Sequence, residues 1–138
     1  MRLLPLAALA LLALPAAAAL PVACADECRI ASSSLGYDPL VAFLASGASV
    51  VWSSSDITHV TREATVGSAT EECFEVAHAK GADSSAVRLD IQDGALFATV
   101  DGDARRCTSA VGSEQGGFAL HYFCTLHPTM RAALVVTG

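Results

Sequence analysis

An all-β sandwich is the fold class this sequence predicts, and three observations carry it. Turn signals punctuate most of the chain at about the 8–12-residue spacing that marks sandwiches and barrels. The segments between them are short and rich in β-branched, aromatic or alternating apolar residues, as in Val50-Val51-Trp52 and Val87-Arg88-Leu89-Asp90-Ile91. No long helical period follows the first twenty or so residues. A chain of 138 residues is enough for one domain with a substantial core.

Taken in order, Cys28 to Ser32 reads as a strand, and Ser33 to Pro39 as a loop built on Gly36, Asp38 and Pro39. Leu40 to Ala45 is a second strand, Ser46-Gly47-Ala48 a turn, and Ser49 to Ser53 a third strand. Ser54 to Thr58 is a loop that delivers His59 to one end of the sandwich. Residues 61–86 are ambiguous: Glu71 to His78 fits a strand or one helical turn capped by Thr70, and Gly81 to Ser85 is loop. Val87 to Ile91 alternates as a half-buried strand, and Asp93-Gly94 is a hairpin signal leading into Ala95 to Val100. After the Asp101-Gly102-Asp103 turn, Arg105 to Val111 reads as one more strand, and Gly112 to Gly117 as loop. Phe118 to Cys124 is a strand entering a tight loop.

The N-terminus is set apart from this pattern. Met1-Arg2 precedes an almost unbroken Leu/Ala run to Leu20, ending in small residues with Ala17-x-Ala19 as a cleavage site. This is the form of a secretory signal peptide over residues 1–19, with residues 20–138 as the exported domain. Pro5, Pro15 and the small-residue end argue against a retained membrane anchor, and no twin-arginine pair precedes the run. A lipid on Cys24 would associate the chain with a membrane, but Pro21 fits that signal poorly. The expected location is a periplasm or the cell exterior, with no membrane span in the mature chain. Removing Arg2 leaves 8 − 1 = 7 basic residues against 14 acidic ones, a net charge near −7. That excludes nucleic acid as an expected partner.

An odd number of cysteines, 5, in an exported chain points to one reserved thiol and four that pair. Cys124 is the reserved one. Cys24, Cys28, Cys73 and Cys107 leave three connectivities open; Cys73–Cys107 is favoured as a long bridge because both flank segments outside the metal loops. The same parity favours cleavage after Ala19 over cleavage after Ala25, which would discard Cys24.

The reserved thiol belongs to Cys124-x2-His127-x2-Met130. A thiolate, an imidazole and a thioether in so short a stretch suit copper better than zinc, calcium or magnesium. A His2Cys plane with a weak axial Met needs a second imidazole, for which His59 is the candidate. Strand alternation places Cys124, Tyr122, Leu120 and Phe118 on one face, and Phe123, His121 and Ala119 on the other. A core-facing stripe ending in the thiol is what a metal buried at the sandwich end requires.

These residues resemble a known family. Y-x-C-x2-H-P-x-M at Tyr122–Met130, with W-x3-D-x2-H at Trp52–His59, is similar to the cupredoxins, the type I copper proteins. The ligand loop is closest in form to that of amicyanin-type members, the body to plastocyanin-like domains, and the likeness spans residues 28–137. It implies a Greek-key sandwich that binds one copper ion, Cu(I) or Cu(II), through His59, Cys124, His127 and Met130. The implied role is single-electron transfer between redox protein partners, by a monomer that is not an enzyme in the turnover sense. A copper storage or delivery protein of the same compartment is the alternative function. By resemblance the His127 ring edge, among Leu126, Pro128 and Thr129, passes electrons, and Phe123 occupies the position of an exposed aromatic on a second route or packs under the long insertion at 87–100. The 87–100 hairpin is longer than small family members need. Two positions depart from the family: Val60 stands where Asn often follows the first His, with Thr125 or Ser55 as substitutes for the lost lock, and Ala133 stands where a Gly is usual.

The remaining histidines, His78 and His121, read as surface residues. His78 sits among Glu71, Glu72 and Glu75, and His121 points away from Cys124 by parity. A Cys–His nucleophile using Cys124 lacks any oxyanion-type segment beside it. Zinc in the Cys/His site would be a misloaded state.

Overall fold

A computed structural model describes residues 22–64 and 72–138. The expected signal peptide at 1–19 and the Thr70 cap lie outside the described residues. Among the described residues thirteen strands follow one another: β1 (Val22–Cys24), β2 (Glu27–Ser33), β3 (Gly36–Asp38), β4 (Val41–Ala45), β5 (Ser49–Ser54), β6 (His59–Glu63), β7 (Glu75–His78), β8 (Val87–Gln92), β9 (Ala95–Val100), β10 (Asp103–Arg106), β11 (Val111–Gly112), β12 (Phe118–Cys124) and β13 (Arg131–Thr137). Among the described residues there is no helix, and so none long and apolar enough to cross a membrane.

The strands form two mixed sheets. One runs β1-β4-β13-β12-β6-β7, with β11 also on β12, and the other runs β10-β9-β8-β5-β2-β3. Their inner faces share one core. Ile30, Val50, Trp52 and Leu89 come from the second sheet; Leu44, Leu120, Tyr122, Leu134 and Val136 come from the first. Alternation does the sorting: β2 reads exposed–buried from Glu27 to Ala31, and β13 buries Ala132, Leu134 and Val136 while Arg131 and Thr137 face out. Trp52, fully buried, lies against Tyr122 (ring centroids 5.2 Å) and Phe74 (5.5 Å) and joins the two layers. Burying each such large apolar side chain is worth about 1.5–3 kcal/mol.

Several expectations need correction. The segment 105–111 is two strands in different sheets. β10 pairs β9, β11 pairs β12, and the chain changes layers between them, where the Cys73–Cys107 disulfide pins it. The loop expected at 33–39 contains β3, which pairs with β2 and buries Tyr37. The ambiguous stretch before residue 86 contains β7, paired with β6. The 87–100 hairpin forms as read: Asp93 (φ 51°) and Gly94 (φ 75°) both take positive φ, and Asp101 (50°) and Gly102 (81°) repeat the device between β9 and β10. Cys24–Cys28 is the second disulfide, and Cys124 is free and buried.

Candidate metal centre

Three loops meet at one end of the sandwich. The first, Ser55–Thr58, joins β5 in one sheet to β6 in the other and sets His59 as the first residue of β6. It is tightly braced. The Ser54 hydroxyl donates to the Ile57 carbonyl. The Asp56 carboxylate accepts from the backbone amides of Ile57 (2.7 Å) and of Ser34 (2.8 Å) in the β2–β3 turn. Those backbone donors, Ser34 foremost, hold the Asp56 carboxyl below its ordinary range.

Cys124 closes β12, where it is the register partner of Thr61 in β6. His59 and Thr61 lie on the same face of β6, so strand pairing alone brings the thiol and the first imidazole to the same end. The loop after Cys124 folds into consecutive turns. His127 N–H donates to the Cys124 carbonyl (3.2 Å), Met130 N–H to the His127 carbonyl (2.8 Å), and Cys124 N–H to the Met130 carbonyl (3.1 Å). The two ligand loops are joined by Thr125 N–H donating to the Val60 carbonyl at 2.8 Å. This link is made by backbone groups alone and does not depend on the side chain at position 60 or 125.

The donor atoms of His59, Cys124 and His127 all lie within 4.8 Å of one another. Cys124 Sγ is 3.9 Å from His127 Nδ1. A trigonal ion with bonds of about 2.0–2.3 Å holds its donors roughly 3.5–4 Å apart, so this pair already stands at ligating separation. Met130 is buried (6% exposed), with its backbone tied to both Cys124 and His127. His59 is fully buried, yet neither of its ring nitrogens has a hydrogen-bond partner; Nε2 faces Asp56 Oδ1 at 3.7 Å. Buried polar atoms without partners are uncommon and call for an explanation; an ion among these donors supplies one. The residues therefore fit copper: a buried free thiol, two imidazoles beside it and a thioether in the same loop. Burial also holds the His59 imidazole below its ordinary range, against the opposing pull of Asp56. The ring is thus in the neutral, metal-binding form at neutral pH.

One expectation about a neighbouring residue fails. His78 is not at the surface. It is 1% exposed and stacks on His59, with ring centroids 5.3 Å apart and planes 16° apart. Pairing of β6 with β7 puts His78 directly opposite His59, and Glu75 lies on the other, exposed face of β7. Burial and the adjacent His59 ring lower its pKa to about 4. Of the two roles open to Phe123, the exposed aromatic is the one its position excludes: it is 6% exposed, between the registers of Arg62 and Arg131 and outside the main core. His121 is exposed, as its parity requires.

Sequence reasoning also missed Tyr37 and Thr61. The Tyr37 hydroxyl lies 2.7 Å from Thr61 Oγ1, which lies 3.2 Å from His78 Nε2, a buried polar chain behind the His59 ring. Its trace in the sequence is the alternation His59-x-Thr61-x-Glu63 opposite Val76-x-His78, a polar face where an apolar one is usual. A second group of donors, Glu63 with Cys73 and Cys107, is not a metal candidate, because both sulfurs are in the disulfide. The Glu63 carboxylate accepts instead from Cys73 N–H (3.1 Å) and the Ser109 hydroxyl.

No family model matches the chain, and no curated protein matches it significantly in sequence. Among solved structures the chain is similar to a mutant of amicyanin in its Cu(I) form (TM-score 0.48, 17% identity, 80% of this chain and 81% of that one). It is also similar to a novel purple cupredoxin from Nitrosopumilus maritimus (0.44, 14%, 79% and 98%). A third is the oxidised form of plastocyanin from Dryopteris crassirhizoma (0.39, 14%, 80% and 100%). At these identities the functional reading rests on the site's own residues. The chain forms a two-sheet sandwich with the thiol and both imidazoles gathered at one end.

Proposed function

We propose that the protein is an exported type I copper protein that carries single electrons between redox partners. His59, His127 and Cys124 are its equatorial ligands and Met130 its axial ligand. The observation that carries this reading is the free, fully buried Cys124 thiol 3.9 Å from His127 Nδ1, beside a buried His59 whose ring nitrogens lack partners.

Copper held there would supply a one-electron couple, tuned by the axial thioether and by the shell around the sulfur. The chain's own part is to hold its donors still. Backbone bonds fix the 124–130 loop to itself and to Val60, and Pro128 fixes φ at the loop's tip. The donors then need not rearrange when the charge at the site changes. His127 is exposed, and Leu126 beside it is 55% exposed, so one ligand ring reaches the surface through an apolar rim. Cys124 and His59 are inaccessible, which favours a carrier over an enzyme that admits substrate.

Two disulfides support an oxidising compartment, periplasmic or extracellular. The Cys24–Cys28 bridge supports cleavage after Ala19, since processing after Ala25 would discard Cys24, and it occupies the sulfur that a lipid anchor would need. The mature protein is a monomer that meets redox protein partners.

The test is voltammetry of the copper-loaded protein beside a competition with a Cu(I) chelator. A reversible wave of one electron per chain, with copper retained, is the expected result. Rapid loss of copper to the chelator without a reversible wave would replace the carrier with storage or delivery.

A further inference from the structure

We propose that Glu63 is an electrostatic guard of the Cys73–Cys107 disulfide: its buried carboxylate slows attack on that bridge by thiols. The proposal needs no bound metal. The chain itself creates the need, because it holds a free thiol, Cys124, together with two bridges, and interchange among these sulfurs would mispair them.

A disulfide opens when a thiolate bonds to one of its sulfurs. The S–S bond breaks, and its electron pair leaves on the other sulfur as a new thiolate. A second thiol then attacks the mixed disulfide, so two thiols are oxidised to a disulfide while the bridge becomes two thiols. The first step spreads one negative charge over three sulfurs in line. A fixed negative charge beside the bridge opposes that step whichever sulfur is attacked.

Glu63 supplies the charge. A carboxylate oxygen of Glu63 and the sulfurs of Cys73 and Cys107 all lie within 4.8 Å of one another. Glu63 is 1% exposed, so water screens it little. Its carboxylate accepts from Cys73 N–H (3.1 Å) and from the Ser109 hydroxyl, and such bonds favour the charged form. The group is thus fastened to both of the segments that the bridge joins. Its backbone is fixed as well, with Glu63 N–H donating to the Phe74 carbonyl (3.0 Å).

Burial alone does not close the route to the sulfurs. A cavity of about 280 Å³ is lined by Cys73, with Glu72, Glu75, Asp103 and Arg105 also on its walls. Arg62 pairs with Glu72 and Glu75, and Arg105 with Asp103, so the walls hold little net charge and the repulsion falls to Glu63. The Cys24–Cys28 bridge is an internal control: among the described residues no carboxylate forms such a cluster with its two sulfurs.

The experiment opens the bridges of the folded protein with excess mercaptoethanol, traps the thiols with iodoacetamide at intervals, and reads each bridge by peptide mass. In the wild type Cys24–Cys28 should open well before Cys73–Cys107. Glu63→Gln keeps the shape and removes the charge. It should speed the opening of Cys73–Cys107 about 10–100-fold, as expected for a buried unit charge acting at this range on a partly developed one, and leave Cys24–Cys28 unchanged. Ser109→Ala removes a hydrogen bond and keeps the charge, so it separates repulsion from loosened packing; its Cys73–Cys107 bridge should open at close to the wild-type rate. In denaturant the wild type and Glu63→Gln should open at equal rates. An unchanged rate in Glu63→Gln would overturn the proposal. So would an equal gain in Ser109→Ala, or a gain in Glu63→Gln that persists in denaturant.

Discussion

Acidifying the metal-free protein should destabilise it, and His78 should account for a measurable share of the loss. The ring is buried to 1% exposure, and its pKa falls from 6.5 to about 4 in the folded state. Between those values the unfolded chain holds a proton that the folded chain refuses. Stability is therefore fully present above 6.5, falls as the pH drops toward about 4, and levels off below. Each pH unit in that window costs about 1.4 kcal/mol, so the whole window is worth about 3 kcal/mol. That is a large part of the roughly 5–15 kcal/mol of an ordinary domain. The groups facing the ring are Thr61, which is neutral, and His59, whose own lowered pKa acts in the same direction. The assay is urea unfolding of the apo-protein, followed by the fluorescence of the single tryptophan, Trp52, from about pH 7 to about pH 4. His78→Phe removes the titrating group and keeps a flat ring, so carboxylate effects common to both proteins cancel in the comparison. The wild type should lose about 3 kcal/mol more than the variant over that range. Parallel curves would show that His78 is charged as readily in the folded protein as in the unfolded chain, and the account of His78 as a buried neutral ring would fail.

The two disulfides should differ in worth. Closing a separation of 34 residues stabilises by about 4 kcal/mol in the loop-entropy account, and closing one of 4 by about 2 kcal/mol. Denaturant midpoints should therefore fall further for the Cys73→Ser/Cys107→Ser protein than for Cys24→Ser/Cys28→Ser, and the reverse order would contradict the assignment. Thiol titration in denaturant without reductant should find one reactive sulfur per chain, blocked by Cys124→Ala and by no other single substitution that leaves both bridges intact. Leu126→Glu puts a charge on the exposed rim beside His127 without touching the core. Visible spectrum and thermal midpoint should be unchanged, while electron self-exchange slows about tenfold or more through like-charge repulsion; an unchanged exchange rate would move the exit away from His127.

How much of this was legible beforehand depended on whether a residue's setting is local. β5, β8, β9 and β12 were readable because apolar alternation and the Asp-Gly turn are properties of adjacent residues. The proposed donors Cys124, His127 and Met130 stand out in the sequence for the same reason: one loop contains them, at spacings that chemistry restricts. His78 was misread because its burial is decided by the β6–β7 register, which pairs it with His59 across a long gap in sequence; its neighbours in sequence are acids, and they proved a poor guide. Tyr37 was hidden in β3, three residues among turn-forming Gly, Asp and Pro. The 105–111 segment looked like one strand because nothing local records that the chain changes sheets there. Phe123 was placed outward by parity, correctly, but parity does not say that the outer face of β12 is covered at that point.

The central claim is that the Cys124 sulfur bonds directly to copper between two imidazoles, and the visible absorption spectrum of the Cu(II)-loaded protein tests it most directly. An intense blue or green thiolate-to-copper charge-transfer band, lost in Cys124→Ala, is the predicted result. A colourless Cu(II) complex would contradict the account.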